Sequence, residues 1–300
     1  MRIATRLCLA AALCVGASAQ AEVAFGLTEG SRLIRFDTAN IAGRADVAAV
    51  TGVVAGHTLR GIDFRPSDAR LYAVSTNGTA GQLYTINLAT GAATAIGAGF
   101  TLTGNTSTRV SIDFNPVANA LRVVTGSGQS YRVNANSGAL IAQDTNITGN
   151  PLISGIAYTN NVAGAATTTL YAYDFLSDNL GTIIPPNAGT FNVVGNSGIV
   201  TGDAGAGFDI SGATGIAYFS SDDFIGSAGF GDEFFSVNLA TGAFTQIGAD
   251  DVFSGVFNLL DFSIEVPTPG SLALALAGLG LLATSATRRR RQPAPTQAAA

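Results

Sequence analysis

The chain has 300 residues, 47% of them hydrophobic and 12% charged, with a formal net charge of −5, against about 25% charged residues in an average soluble domain. All 15 basic residues are Arg, His57 is the only His, and Cys8 and Cys14 are the only Cys. Beyond residue 14 these absences exclude a Cys/His zinc cluster, a thiol nucleophile, a Schiff-base Lys, a catalytic His pair and a disulfide framework.

Residues 1–21 carry Arg2 and Arg6, an apolar stretch from Leu7 to Val15, and the small-residue run Ala17-Ser18-Ala19-Gln20-Ala21 ahead of Glu22. The stretch is too short to span about 30 Å of hydrocarbon as a stable helix. Ala19-x-Ala21 suits a peptidase that admits only small side chains, so the segment reads as a secretory signal peptide cut after Ala21. Its removal takes both cysteines with it, which fits an exported protein whose stability is independent of redox state.

Residues 22–265 are long enough for one substantial core, and they repeat. The clearest copies are Ile86-Asn-Leu-Ala-Thr-Gly-Ala-Ala-Thr-Ala-Ile-Gly-Ala98 and Val237-Asn-Leu-Ala-Thr-Gly-Ala-Phe-Thr-Gln-Ile-Gly-Ala249, identical at 10 of 13 positions. Looser copies lie at 36–43, 133–139 and 184–190, and the anchoring glycines Gly43, Gly91, Gly138, Gly189 and Gly242 are 48, 47, 51 and 53 residues apart. Each copy reads as a β-hairpin. An Asn or Asp opens the loop by bonding backbone amides, and the Gly supplies a positive φ.

Upstream of each hairpin stands a second repeated unit. It runs Gly61-Ile-Asp-Phe64 with Leu71-Tyr-Ala-Val74, then Ser111-Ile-Asp-Phe114 with Leu121-Arg-Val-Val124. Gly155-Ile-Ala-Tyr158 pairs with Leu170-Tyr-Ala-Tyr173, and Gly215-Ile-Ala-Tyr218 with Glu233-Phe-Phe-Ser236. Leu259-Leu-Asp-Phe262 matches Ile-Asp-Phe and has no hairpin after it. About four short strands per repeat, with no helical periodicity, predict an all-β chain folded as a five-bladed β-propeller of four-stranded blades. The C-terminal strand, 258–265, is expected to complete the first blade by pairing within 23–51, which removes an open edge. An open β-solenoid or two packed sheets is the alternative architecture. The units Leu59-Arg-Gly-Ile-Asp-Phe-Arg-Pro66, Ser111-Ile-Asp-Phe-Asn-Pro116 and the Asn-Leu-Ala-Thr-Gly turns resemble the secreted bacterial propellers of the domain of unknown function 4394 family. That resemblance implies the architecture and no activity.

The C-terminal region 266–300 opens on Val266-Pro267-Thr268-Pro269-Gly270-Ser271, continues through an uncharged stretch, 270–287, and ends its signal at Arg288-Arg289-Arg290-Arg291. The stretch is a marginal transmembrane helix, and the Arg cluster places the C-terminus on the cytoplasmic side. This order of Pro motif, apolar helix and Arg cluster resembles the PEP-CTERM sorting signal of Gram-negative bacteria that make exopolysaccharide, with Thr268 where Glu is usual. The resemblance implies an exosortase-type sorting enzyme as partner, transient tethering in the inner membrane through 270–287, and extracellular polysaccharide as a further partner. A plain membrane anchor is the alternative.

Candidate chemistry is sparse. Asp63, Asp113 and Asp261 occupy one repeat position, where the other two blades carry Ala157 and Ala217. If the innermost strands line a channel, these carboxylates are candidates for a hard-cation site such as Ca²⁺; the alternative is that each bonds loop amides within its own blade. No other cofactor is implied. Residues 133–265 hold 13 acids and no basic residue, and 22–265 as a whole hold 20 acids against 9 Arg, which disfavours nucleic acid as a partner. The pairs Asp222-Asp223, Asp232-Glu233 and Asp250-Asp251 lack EF-hand spacing, and His57 with Arg60 reads as a loop or packing pair. The expectation is an exported, non-enzymatic propeller of the cell envelope or extracellular matrix. A metal-dependent hydrolase or lactonase, or a carbohydrate-binding module, is the alternative.

Overall fold

The computed structural model describes residues 21–103, 109–149, 151–200, 207–221, 233–248, 253 and 258–266. Most of the signal segment, including Ala19, lies outside these residues, as do the tail from Pro267 onward with Thr268, Pro269 and Arg288–Arg291, and the acids Asp222, Asp223, Asp232, Asp250 and Asp251. Among the described residues no helix is long and apolar enough to cross a membrane.

The alternating apolar runs form strands joined in order. The first sheet contains β1 (Val23–Thr28), β2 (Arg32–Asp37) and β3 (Asn40–Ala49); the second, β4 (Thr58–Arg65), β5 (Arg70–Asn77), β6 (Ala80–Ile86) and β7 (Ala93–Thr101). The third holds β8 (Val110–Asn115), β9 (Ala120–Thr125), β10 (Ser130–Val133) and β11 (Leu140–Gln143). The fourth holds β12 (Ile153–Tyr158), β13 (Leu170–Asp174), β14 (Asn179–Ile183) and β15 (Phe191–Asn196), and the fifth β16 (Phe208–Ile210), β17 (Ala217–Ser221), β18 (Glu233–Val237) and β19 (Phe244–Gln246). The last strand, β20 (Leu259–Ile264), returns to pair antiparallel with β1, Phe262 opposite Gly26, so that the first sheet runs β20-β1-β2-β3. The chain is thus a five-bladed propeller of four-stranded sheets, closed by its C-terminal strand as its repeats predict. The innermost strands β20, β4, β8, β12 and β16 neighbour one another in a closed ring.

The core is divided among the blade interfaces. Five buried clusters lie there, one per interface. Tyr72 meets Phe114 edge-on at 5.0 Å between the second and third blades, and Tyr173 meets Phe219 at 4.8 Å between the fourth and fifth. The closing interface is the richest in Phe: Phe36 lies 5.5 Å from Phe234, 5.2 Å from Phe253 and 6.3 Å from Phe262. Val266, the first residue of the tail motif, is buried in the cluster between the first and second blades, so the folded domain runs one residue beyond the expected boundary.

The hairpin loops behave as their chemistry demands. Asn87 Oδ1 accepts the Ala89 and Thr90 amides, Asn134 those of Asn136 and Ser137, and Asn238 those of Ala240 and Thr241. Gly91, Gly138, Gly189 and Gly242 all have positive φ. They also press against the preceding blade: a Cβ on Gly138 would stand 2.0 Å from the Ile96 carbonyl oxygen, and one on Gly91 2.3 Å from that of Ala49. The repeat glycine therefore serves the turn and the contact between blades together. Gly43 departs from this pattern. Asp37 pairs directly with Asn40, the first hairpin turns earlier, and Gly43 falls inside β3.

Candidate functional site

The axis of the ring is lined by carboxylates. Asp63 on β4, Asp113 on β8 and Asp209 on β16 offer oxygens within 4.8 Å of one another, and all three are about 1% exposed. Asp63 and Asp113 are where the repeats predict them. Asp209 is a third member that the repeats do not point to, because Gly215-Ile-Ala-Tyr218 repeats the tetrapeptide Gly155-Ile-Ala-Tyr158 and reads as the innermost strand of the fifth blade. That assignment is corrected: Ala217 opens β17, the second strand, and Gly215 has φ +74° in the turn before it. The signal for Asp209 was Gly207-Phe-Asp-Ile210, which has the Gly-apolar-Asp-apolar pattern of Gly61-Ile-Asp-Phe64.

Each carboxylate accepts a strand amide of the next blade, where the alternative reading expected loop amides of its own. Asp63 Oδ2 accepts the Phe114 amide at 2.7 Å, Asp113 Oδ1 the Tyr158 amide at 3.2 Å, and Asp209 Oδ2 the Ile264 amide at 2.6 Å. Ser263 Oγ accepts the Phe64 amide at 3.1 Å. These bonds place Ser263 of β20 level with Asp63, Asp113, Ala157 and Asp209. Ala157 has no acceptor to offer the Ile210 amide, which turns to the Asp209 side chain at 2.6 Å.

Asp261 stands two residues earlier on β20, about 7 Å along the strand. Its Oδ2 accepts the Ile62 amide at 2.8 Å, as Ser111 Oγ accepts the Ile156 amide at 2.9 Å. A Cβ on Gly61 would stand 2.8 Å from that Asp261 oxygen. Asp261 therefore belongs to a second level with Gly61 and Ser111, and the three acids grouped by sequence do not share one ring. The close group is Asp63, Asp113 and Asp209, with the Ser263 hydroxyl 2.8 Å from Asp63 and 3.1 Å from Asp209.

Burial governs the ionisation of all four. Desolvation is the largest cause raising Asp63 and Asp113 well above the ordinary carboxylate range, and neighbouring carboxylates add to it: Asp209 and Asp261 act on Asp63, and Asp63, Asp209 and Asp261 on Asp113. Asp261 is also pushed well up by burial. Asp209 is raised to about 6, held lower by the amides of Ile264 and Ile210 and the Ser263 hydroxyl. Such a ring can keep protons, or its close group can supply oxygens to one hard cation.

The other candidates resolve into structural anchors. His57 Nδ1 lies 3.0 Å from Ser75 Oγ, which meets Tyr84 Oη at 3.0 Å, but Ser75 is fully buried and out of reach of a substrate. Arg122, 1% exposed, joins the third and fourth blades: Nε donates to Tyr158 Oη at 2.7 Å, Nη1 to Asp144 at 3.0 Å and Nη2 to Asn187 at 2.7 Å. Among the described residues, the acidic second half is less of a surface feature than its composition implies. Of its seven described acids, Asp174, Asp209, Glu233 and Asp261 are buried, and the side chain of Asp144 is 5% exposed.

The sequence over residues 32–256 matches that of the domain of unknown function DUF4394. The chain belongs to the DUF4394 family. Among solved structures, a protein of unknown function from Bacteroides thetaiotaomicron is 15% identical with a TM-score of 0.52, the match covering 82% of the DUF4394 chain and 62% of that protein. This likeness shows the fold. A chain of a nidogen/laminin complex is 12% identical, TM-score 0.46, over 82% of this chain and 98% of that one. The glutaminyl cyclase of Myxococcus xanthus is 14% identical, TM-score 0.39, over 65% and 85%. No curated protein matches the chain in sequence.

Proposed function

We propose that this propeller is an exported, non-enzymatic component of the cell envelope or extracellular matrix, acting in binding or as a structural element. One observation carries the reading: the carboxylates that sequence marks for chemistry are at most 6% exposed and accept amides of neighbouring blades. A general acid or base has to come within hydrogen-bond reach of its substrate, and these groups hold the ring together instead. Export is supported by the signal-like residues 1–21 and by the order of motif, apolar stretch and Arg cluster over 266–291. An exosortase-type enzyme is the partner this tail would meet, and extracellular polysaccharide is the surrounding it would reach. Fractionating cells that express the full chain or a chain ending at Val266 tests the reading. The full chain is expected at the envelope or outside it; an unchanged distribution on removing residues 267–300 would overturn the sorting role.

A second reading rests on the 4.8 Å grouping of Asp63, Asp113 and Asp209. Ca²⁺ bound there would raise the melting temperature at neutral pH, chelation would reverse it, and Asp113→Asn would abolish the response. A melting temperature indifferent to Ca²⁺ would end that reading.

A further inference from the structure

Glu22 follows the small-residue run that sequence marks for cutting, and the fold makes use of it. Its carboxylate accepts hydrogen bonds from Ser211 Oγ, from Thr214 Oγ1 at 3.0 Å and from Tyr218 Oη at 3.1 Å. All three donors belong to the fifth blade, in the turn after β16 and in β17. Its backbone is held by the first blade: the Glu22 amide donates to Thr38 Oγ1 at 3.1 Å, and the Thr38 amide donates to the Glu22 carbonyl at 2.9 Å. The residue is 9% exposed, whereas Ala21 is exposed. Glu22 thus spans the interface at which β20 closes the ring.

We infer that Ala21–Glu22 is a processing site that can be cut only before the ring closes, and that the first residue of the mature chain is itself the clasp between the fifth blade and the first. The inference rests on the export reading and adds the order of events to it. A leader peptidase has to seat an extended chain on both sides of the scissile bond. In the closed ring the Glu22 amide is engaged, and both edges of β1 are paired, with β2 and with β20. Backbone held in this way resists proteolysis until it opens locally. In the cut, water adds across the Ala21–Glu22 peptide bond: the carbonyl carbon of Ala21 takes the oxygen and becomes a carboxylate, and the Glu22 nitrogen becomes an α-ammonium. That nitrogen keeps its place as donor to Thr38 Oγ1. A cut further along, after Ala24, would remove the clasp; a cut after Ala19 would leave a two-residue overhang.

The test compares the folded full chain, purified with its leader intact, with a peptide spanning residues 10–32, both exposed to a leader peptidase in detergent. The peptide is expected to be cut between Ala21 and Glu22, and the folded chain at least about 100-fold more slowly. Equal rates would overturn the inference. Glu22→Ala should lower the melting temperature and speed cutting of the folded chain while leaving cutting of the corresponding peptide unchanged; no change in the folded chain would count against the clasp. In cells, an exported chain that begins at any residue other than Glu22 would refute this inference alone. A cytoplasmic chain that keeps Met1 would refute it together with the export reading.

Discussion

The Asp209 carboxylate of the fifth blade lies 3.1 Å from the Ser263 hydroxyl of the first. The same hydroxyl is 2.8 Å from Asp63 and already accepts the Phe64 amide. A serine has one hydrogen to donate, so the two carboxyls compete for it, and a protonated carboxyl at either position would instead donate its own O–H to Oγ. The geometry and the raised pKa values of the ring point the same way, toward carboxyls that keep their protons.

Stability should therefore fall as pH rises. Carboxyls whose folded pKa lies above the unfolded value of 3.8 bind protons more tightly in the folded chain, and their contribution is full below pH 3.8 and lost as pH rises through the folded value. For Asp209, raised to about 6, the loss spans roughly pH 4 to 6 and is on the order of 3 kcal/mol; Asp63, Asp113 and Asp261, also raised by burial, add to it in the same direction. Urea unfolding from pH 4 to 8 in the presence of a chelator measures this, followed by circular dichroism because the chain has no Trp. Asp63→Asn should flatten the slope, whereas stability that climbs across this range would contradict the account.

The repeat glycines should be costlier to replace than glycines of ordinary turns. Gly138 and Gly78 both have positive φ, but a Cβ on Gly78 meets nothing within 4 Å and one on Gly138 would stand 2.0 Å from Ile96 O. Gly78→Ala is expected to cost about 1 kcal/mol, and Gly138→Ala about 2–4 kcal/mol because neighbouring blades must also separate. Equal costs would show that the contact between blades adds nothing.

Removing Arg122 should destabilise strongly. Arg122→Ala leaves Asp144, 5% exposed, with Arg132 as its remaining cation, and strips Tyr158 and Asn187 of a donor. The loss expected from breaking a buried pair is about 3–5 kcal/mol, read as a lower urea midpoint with an unchanged slope.

Ending the chain at Asn258 should abolish cooperative unfolding. That chain lacks β20, leaving β1 with an open edge and Phe36 without Phe262. A truncated protein that remains monomeric and melts like the full chain would show that ring closure is dispensable.

Much of the architecture was legible because each blade carries its instructions locally. The Asn-Leu-Ala-Thr-Gly loops encode their own hydrogen bonds and their own positive φ, and the unmatched last strand could only return to the first blade. Where local signals tie, this legibility ends. Gly-Ile-Ala-Tyr is an innermost strand at 155–158 and straddles a turn and a second strand at 215–218, since four residues compatible with both settings leave the choice to packing partners. A separate local match, Leu259-Leu-Asp-Phe262 to Ile-Asp-Phe, sets Asp261 beside Asp63, whereas the bonds across blades put Ser263 there.

What sequence by itself determined is the number of blades, the turns, the closing strand and two of the three clustered acids, all set by chemistry within a few residues. Only the tertiary structure decided which side chains share a level on the axis, that each acid reaches into the next blade, and that Glu22 joins the first blade to the fifth. These are relations between residues from about 45 to 200 positions apart. No local pattern reports them, because they exist only once five separate sheets have been brought round a common axis.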